Sequence, residues 1–330
     1  MANNRVFWAV QAVCIVPMND PASTLTEAHV IKGLQSAGIT TNFELEQVFE
    51  MGQLSIYENI ETIPDVEVTL EKVIDGHSLI YLMASPKGTG SLSYGQNDRC
   101  DVYLGIYADT ADNAGGATPQ GTVFCSGMYV SSVSYTIPVD GSSTESVTLV
   151  GNDKVWGGAN MAGALGFATD TPPSGVQRRE NLIKASQVLP LDIDGVTANA
   201  SGGWSSTCHL QNITVSVDLG REEILELGAF EPYHRYVTFP VEVSSEFECI
   251  AVSGDMVSAS GNLGTNASNL TNHYIALVHG DSTKLDLGLQ NKLQSVSYAG
   301  ADTGGGNATI TYSYSNFNDL VVTNANANNP

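Results

Sequence analysis

An internal repeat is the feature that most constrains what this chain can fold into. The stretch 34–64 recurs at 210–240 with a constant offset of 176. Average residue usage would give about two identities by chance in such a window. Eight are found: Leu34/Leu210, Gln35/Gln211, Glu46/Glu222, Glu50/Glu226, Gly52/Gly228, Tyr57/Tyr233, Thr62/Thr238 and Pro64/Pro240. The chain is therefore a tandem duplication.

A second block extends the repeat. Ser132-Val133-Ser134-Tyr135 corresponds to Ser295-Val296-Ser297-Tyr298 at an offset of 163. Between the blocks, a one-residue slip after the shared proline aligns Glu67 with Glu242 and Glu71 with Glu246. Val147-Thr148-Leu149 aligns with Ile310-Thr311-Tyr312.

A period this long indicates duplicated domains, because solenoid repeats run about 20–50 residues. We predict one domain over 1–172 and a second over 173–330, joined through the Gly/Ala/Thr/Pro-rich run 157–175.

Charge excludes one class of function. The net charge of −22 divides into −13 for the first half (6 basic, 19 acidic) and −9 for the second (7 basic, 16 acidic). Binding to nucleic-acid phosphates requires a basic face, which neither half can build. The apolar segment 6–16 is too short for a membrane span and lacks a signal-cleavage pattern. We expect a soluble protein made in a cytoplasm.

Alternation of apolar and polar residues dominates both copies and predicts β-strands. Helical patterns are few, at 24–34 and at 79–84. The sequence thus predicts a mainly β protein of two tandem domains, each a sandwich or small open barrel with one short flanking helix. Predicted strands are 39–46, 66–71, 101–107, 128–137, 146–150, 213–218, 274–278, 293–298 and 308–314.

Catalytic and metal-binding patterns are missing from the sequence. The six histidines form no metal-binding pair, and no nucleophile elbow or phosphate-binding loop occurs. Asp192-Ile193-Asp194-Gly195 resembles the start of a calcium loop without its later ligands. We expect no cofactor, no metal and no enzymatic activity. The five cysteines are spaced like buried thiols, although a Cys100–Cys125 disulfide stays open.

Glutamates are dense around the first repeat block. A hydrolase dyad drawn from Glu44, Glu46 and their neighbours is one interpretation, and a solvated strand face is another. Several of these glutamates recur in the second copy. An active site needs one asymmetric set of groups, so we favour a surface that is multiplied by symmetry.

The run 33–75 carries a family resemblance. It contains an alternating strand, the acidic-apolar Glu46-Gln47-Val48-Phe49-Glu50-Met51-Gly52, a bend at 56–60 and a strand 64–70 before Asp75-Gly76. This run resembles a tail tube protein of tailed bacteriophages. Through the repeat, the resemblance extends more weakly to the second copy.

The resemblance implies subunits packed six to a ring, with rings stacked into a hollow tube that double-stranded DNA traverses without specific binding. Because this chain is doubled, we expect homotrimeric, pseudo-hexameric rings in a virion tail assembled in the host cytoplasm. Expected partners are further copies and other tail proteins such as sheath, terminator or baseplate, with no membrane. Candidate lumen residues are Glu44, Glu46, Glu67, Glu71, Asp218, Glu222, Glu242 and Glu246.

The repeated loop residues suggest contacts between subunits. A glycine that follows an apolar residue suits a loop tip or a bulge packed on a neighbour. The candidate contact residues are Glu50, Met51, Gly52, Glu226, Leu227 and Gly228. The alternatives are another virion ring protein (neck, baseplate hub or decoration protein), a β-sandwich hydrolase and a secreted adhesin.

Overall fold

The computed structural model places most of the chain in antiparallel β-sheets. Only the residues it describes are discussed: 5–18, 25, 27–43, 45–85, 92, 98–108, 119–157, 172–182, 209–229, 231–251, 272–280, 283–303 and 305–324. The stretch 192–195, which resembles the start of a calcium loop, and most of the predicted linker lie outside them. The domain boundary at 172/173 stays a prediction.

Nine described strands precede residue 160, together with one short described helix, α1 (Ile80–Ala84). The strands are β1 (Gln11–Pro17), β2 (Leu34–Asn42), β3 (Leu45–Phe49), β4 (Ile56–Glu61), β5 (Asp65–Val73), β6 (Cys100–Ile106), β7 (Gly121–Pro138), β8 (Thr144–Gly151) and β9 (Asp153–Trp156).

Nine more described strands follow residue 208. They are β10 (His209–Asp218), β11 (Arg221–Ile224), β12 (His234–Val237), β13 (Glu242–Ile250), β14 (Ala276–His279), β15 (Thr283–Asp286), β16 (Lys292–Ala299), β17 (Thr309–Phe317) and β18 (Val321–Asn324). Single turns of 3-10 helix lie at Trp8–Val10, Glu27–His29 and Arg179–Asn181. The mainly β prediction is confirmed, and the described strands form open sheets without a closed barrel.

One sheet runs through both copies of the repeat. Its strand order is β2-β5-β8-β7 from the first copy, followed by β10-β13-β17-β16 from the second. The junction is the antiparallel ladder between β7 and β10, in which Val133 lies opposite Val217 and Tyr135 opposite Val215. We call this ladder the internal join. It leaves β2 and β16 as the two outer edges of the sheet.

The repeat is also visible in the strand registers. A β-bulge interrupts the β2–β5 ladder between Leu34 and Ser36, and an equivalent bulge interrupts the β10–β13 ladder between Leu210 and Asn212. The bulged residues are the identical Gln35 and Gln211, and each side-chain amide donates to the two preceding carbonyls. A bulge is a specific local feature, so its recurrence confirms the offset of 176.

The registers correct the alignment beyond the shared proline. Thr41 pairs with Val66 and its equivalent Val217 pairs with Val243, which sets the offset at 177. The same reasoning along the next ladder makes Val147 equivalent to Tyr312. The predicted equivalences were therefore wrong by two residues. An even slip keeps every side chain on its face of the strand, so the alternating pattern could not reveal it.

The second repeated block is confirmed in place. A bulge lies between Val130 and Ser132 in the β7–β8 ladder, and its counterpart lies between Leu293 and Ser295 in the β16–β17 ladder. The offset of 163 therefore holds for β7 and β16, which occupy equivalent positions in the strand order of the sheet.

A second layer covers one face of this sheet. In the first copy, the 18-residue strand β7 belongs to both layers: its first half pairs with β6 and β9, and its second half pairs with β8 and β10. In the second copy, β14, β15 and β18 form a separate three-stranded sheet. One hydrophobic cluster runs from Val13 to Val322 and unites both copies.

The helix predicted at 79–84 is confirmed as α1, and all five of its residues are buried. The carboxylate of buried Glu145 accepts hydrogen bonds from the backbone N–H groups of Ile80 (2.6 Å) and Tyr81 (3.2 Å). It thereby satisfies donors that a helix start leaves unpaired. The Tyr135 hydroxyl donates to the same carboxylate, and burial raises the pKa of Glu145.

The helix predicted at 24–34 was wrong. The described part of this segment has one 3-10 turn at Glu27–His29, and Leu34 already begins β2. Val30 instead forms a β-bridge with Cys14, and Ile31 donates its N–H to the Val13 carbonyl. Both apolar side chains are buried, so extended pairing with β1 takes the place of helical packing.

Cys14, Cys100 and Cys125 are buried free thiols, so the structure has no Cys100–Cys125 disulfide. Burial raises the pKa of Cys14 to about 12 and that of Cys125 to about 11. These thiols are accordingly held in the protonated, unreactive form.

Buried His279 predicts a pH-dependent stability. Neither ring nitrogen has a hydrogen-bond partner among the described residues, and burial lowers the pKa of His279 from 6.5 to about 4. In the unfolded chain, His279 binds a proton below about pH 6.5. In the folded chain, it binds that proton only near pH 4. The free energy of unfolding should therefore fall by about 3 kcal/mol more in wild type than in His279→Leu between pH 7 and pH 4. Urea midpoints across this range test it, and parallel profiles of the two proteins would contradict it.

Candidate functional site

The eight-stranded sheet has one polar face that the second layer does not cover. We call it the open face. Ladder partners place its side chains in rows: Ser36 lies opposite Glu71, Thr69 opposite Thr148 and Ser134 opposite Ser216. The rows continue into the second copy, where Glu246 lies between Thr214 and Ser313. Serine and threonine dominate this face, and the apolar side chains of the same strands point into the core.

Carboxylates form two groups on the open face. Glu67 and Glu71 stand on β5 of the first copy, and Glu242 and Glu246 stand on β13 of the second copy, all exposed. Asp218 extends the second group from the end of β10. Five of the eight predicted lumen residues are therefore brought onto one surface. Lys292 at the start of β16 and His209 at the start of β10 are the basic side chains that the described strands place at its margins.

Sequence reasoning missed two carboxylates on this face. Glu248 lies opposite Asn212 and Thr311, and Asp65 lies opposite Asn42. With the corrected offset, Glu71 is equivalent to Glu248 and Asp65 to Glu242. The repeat of acidic positions is real, but it joins different residues from those that the alignment paired.

The remaining predicted lumen residues are elsewhere. Glu46 lies on β3 and Glu222 on β11, within two separate two-stranded sheets. Glu44 lies outside the described residues. The sequence alone could not separate these groups, because a hairpin that leaves the sheet shows the same alternation as one that remains in it.

The candidate contact residues occupy two equivalent hairpin tips. Each tip is closed by a backbone hydrogen bond between the first and fourth residues of the turn. The Gln53 N–H donates to the Glu50 carbonyl (3.3 Å), and the Ala229 N–H donates to the Glu226 carbonyl (3.4 Å). Gly52 and Gly228 have φ values of +100° and +92°, as the third position of a type II turn requires. Met51 and Leu227 are fully exposed. The predicted loop-tip geometry is present, whereas the contact itself stays a prediction.

The two hairpins have identical internal pairing. We call β3–β4 with its flanks (43–63) the first hairpin and β11–β12 with its flanks (219–239) the second hairpin. Glu46 lies opposite Ile60, and 176 residues later Glu222 lies opposite Tyr236. The stretch 56–60, expected as a bend, is strand β4.

The second hairpin is docked on the first copy. The buried Arg235 guanidinium forms an ion pair with Glu223 and another with Asp65 at 2.8 Å. Arg221 donates to the Val130 carbonyl at 2.7 Å. The Tyr129 hydroxyl and His234 Nδ1 are 2.6 Å apart, and the Leu219 N–H donates to the Ser131 carbonyl.

The first hairpin presents its side chains to solvent. At its tip, Gln53 donates a side-chain hydrogen bond to Glu50 and Ser55 donates one to Gln53. All six residues of β4 and four of five in β3 are exposed. The exposed apolar side chains are Phe43, Leu45, Phe49, Met51, Leu54, Ile56, Tyr57 and Ile60. Large apolar side chains exposed in this number on one hairpin indicate an interaction site.

The outer edges of the sheet are more exposed than the equivalent strands at the internal join. At the internal join, Val215 and Tyr135 are each 1% exposed. Their equivalents at the outer edges are half-buried Ile39 on β2 and Tyr298 on β16, which is 53% exposed. Neither edge strand contains proline, and Lys292 is their one charged residue. Natural edge strands are usually protected by charge, proline or a covering segment, so these two are suited to pairing.

Among the described helices, none has the length and apolar character needed to cross a membrane. The described histidine, cysteine, aspartate and glutamate side chains form no group of three that could hold a metal ion.

Comparisons with known proteins give weak structural similarity and no match to a family model. No protein-family model matches the chain, and no curated protein matches it. A chain in the cryo-EM structure of the anti-feeding prophage (AFP) baseplate, 6-fold symmetrised, matches 48% of this chain over 97% of its own length. Identity is 12% and the TM-score is 0.32. A match at that TM-score carries no argument, so the function has to be inferred from the strand geometry.

Proposed function

We propose that this protein is a structural subunit of a phage-type particle and, more specifically, that three chains form each ring of a tail tube. The observation that carries the proposal is the internal join. It shows how β7, at one edge of the first copy, pairs with β10, at the opposite edge of the second copy, and it leaves the equivalent strands β16 and β2 open at the two edges of the sheet. Strand β16 of one chain would pair with β2 of a second chain.

Such a contact is heterologous, because two different surfaces meet. Heterologous contacts close into rings when the rotation per subunit is correct. Three chains would contribute three times eight strands, 24 in all. Barrels of about 16–18 strands already enclose an aqueous channel, so a closed sheet of this size would enclose a wide lumen.

The open face would form the wall of that lumen. Its polar side chains need water, while the opposite face is already covered by the second layer. The carboxylates of β5 and β13 would repel a phosphate backbone within the Debye length, about 8 Å at physiological salt. Double-stranded DNA would then slide through without binding. The virion location, the stacking of rings and the other tail proteins as partners belong to this proposal.

Disrupting one outer edge should abolish ring formation. Tyr298→Asp places a charge at a position that the ring would bury, as its equivalent Tyr135 is buried in the chain. Since Tyr298 is half-exposed in the monomer, the variant should fold with little loss of stability. We expect closed rings of three chains for wild type and monomers for the variant, measured by mass photometry and cryo-EM.

A matched control is Val176→Asp, because Val176 is 40% exposed and lies in the segment 172–182, outside both edge strands. The control should form rings like wild type. If the Tyr298→Asp variant formed rings as stable as those of wild type, pairing through β16 would be contradicted. Rings that never stack into tubes under any condition would favour the neck, hub or decoration protein over the tube.

Neutralising the open face should slow DNA ejection. The quadruple variant Glu67→Gln, Glu71→Gln, Glu242→Gln and Glu246→Gln removes 12 carboxylates from a ring of three chains (3 × 4). The control is Glu46→Gln with Glu222→Gln, since these residues lie on the hairpins. In assembled particles we expect DNA ejection to be slower for the quadruple variant and unchanged for the control. The rate of ejection is measured by the entry of a DNA-binding dye. Equal ejection rates would contradict the repulsive wall.

A further inference from the structure

We propose that the contact between neighbouring chains copies the internal one, both in strand register and in hairpin placement. Specifically, the first hairpin of one chain lies on the second copy of its neighbour, where Glu58 meets Lys292. This inference rests on the proposed head-to-tail ring and adds residue-level contacts to it. The occupant of the exposed hairpin surface is therefore a second copy of this chain.

The strand register follows by arithmetic from the internal join. There, paired residue numbers sum to 350, as in Ser216 with Ser134. Replacing β10 by β2 subtracts 176, and replacing β7 by β16 adds 163. The sum for the contact between chains is therefore 337. Thr40 of one chain lies opposite Ser297 of the next.

Apolar exposure agrees with this register. Ile39 on β2 falls opposite Tyr298 on β16, as Val215 falls opposite Tyr135 inside the chain. Pairing with Ile310 already fixes the Tyr298 side chain on the apolar side of its own sheet. A register shifted by one residue would place it opposite Gly38 or Thr40, which belong to the open face. The register of 337 instead pairs it with Ile39 on the apolar side.

Hairpin placement follows from the same offsets. The hydrogen bond from the Leu219 N–H to the Ser131 carbonyl becomes one from Phe43 to Gln294 of the neighbour. The contact between Arg221 and Val130 becomes one between Leu45 and Leu293. Phe43 is 75% and Leu45 is 55% exposed in the single chain, and both would be covered in this position.

One polar contact is replaced by a charge pair. His234 and Tyr129, 2.6 Å apart inside the chain, correspond to Glu58 and Lys292. Both are exposed, and their charges are opposite. The buried Arg235–Asp65 ion pair has no such replacement, because Asn59 and Glu242 stand at the equivalent positions. Glu58 with Lys292 is thus the complementary charge pair that the mapping creates across the contact.

Cysteine cross-linking tests the register. In the double variant Thr40→Cys and Ser297→Cys, directly opposite residues fall within the Cα separations that disulfides span, about 4.4–6.8 Å. Oxidation with copper phenanthroline should give dimeric and trimeric chains on a denaturing gel. The control, Thr40→Cys with Ser295→Cys, is two residues out of register and should cross-link at least tenfold less. Equal or reversed yields would overturn the register.

A charge exchange tests the hairpin. Glu58→Lys alone and Lys292→Glu alone should each raise the concentration needed for half-maximal ring formation several-fold, and the double exchange should restore it toward wild type. Glu61→Lys is the matched control on the same strand, and it should not be rescued by Lys292→Glu. Additive losses in the double exchange would overturn the hairpin placement.

These results separate the inference from the function on which it rests. Wild-type rings with the wrong cross-link, or without charge rescue, would overturn the residue contacts and leave the ring proposal intact. Wild type that stays monomeric at all concentrations would overturn the ring proposal itself, and the inference with it.

Discussion

The backbone ladder between β7 and β10 is the interaction on which the rest of this architecture depends. Buried N–H and C=O groups need partners, and a β-sheet supplies them only to strands with a neighbour on each side. The ladder supplies a neighbour to one edge of each copy and so fuses two sheets and two cores. It cannot do the same for the remaining edges. A duplicated domain with this connection is always left with one unpaired edge at each end.

The two copies also differ in the polar side chains that they bury. Glu145 and Lys72 are fully buried in the first copy, where Glu145 holds the start of α1 and Lys72 donates to the Ser78 carbonyl. Their equivalents in the second copy are Ile310 and Cys249, which are also buried. Duplication preserved the backbone registers and let the buried polar contacts diverge. This explains why the repeat is stronger in the spacing of residues than in their identity.

Much of the fold was predictable because it is local. Alternation identified most of the strands, and the repeated Leu-Gln pairs lie at two equivalent bulges. The pairing of β7 with β10 joins residues about 80 positions apart, and no local pattern specifies such a partner. The same limit affected the candidate site: alternation placed Glu67 on one face of its strand, but only the assembled sheet shows that Glu46 belongs to a separate hairpin.

Fusion of two copies changes how a ring can assemble. A ring of six separate domains needs six contacts between molecules, whereas three fused chains need three, because the internal join supplies the others at a high effective concentration. The internal contact no longer has to be identical to the external one. The second hairpin is held on its own chain by the buried Arg235 and its ion pair with Asp65, whereas the first hairpin has Asn59 at the position equivalent to Arg235. In the proposed ring, two identical contacts would not let a chain distinguish its own hairpin site from that of a neighbour. The divergence of the two hairpins would make each one specific to its position.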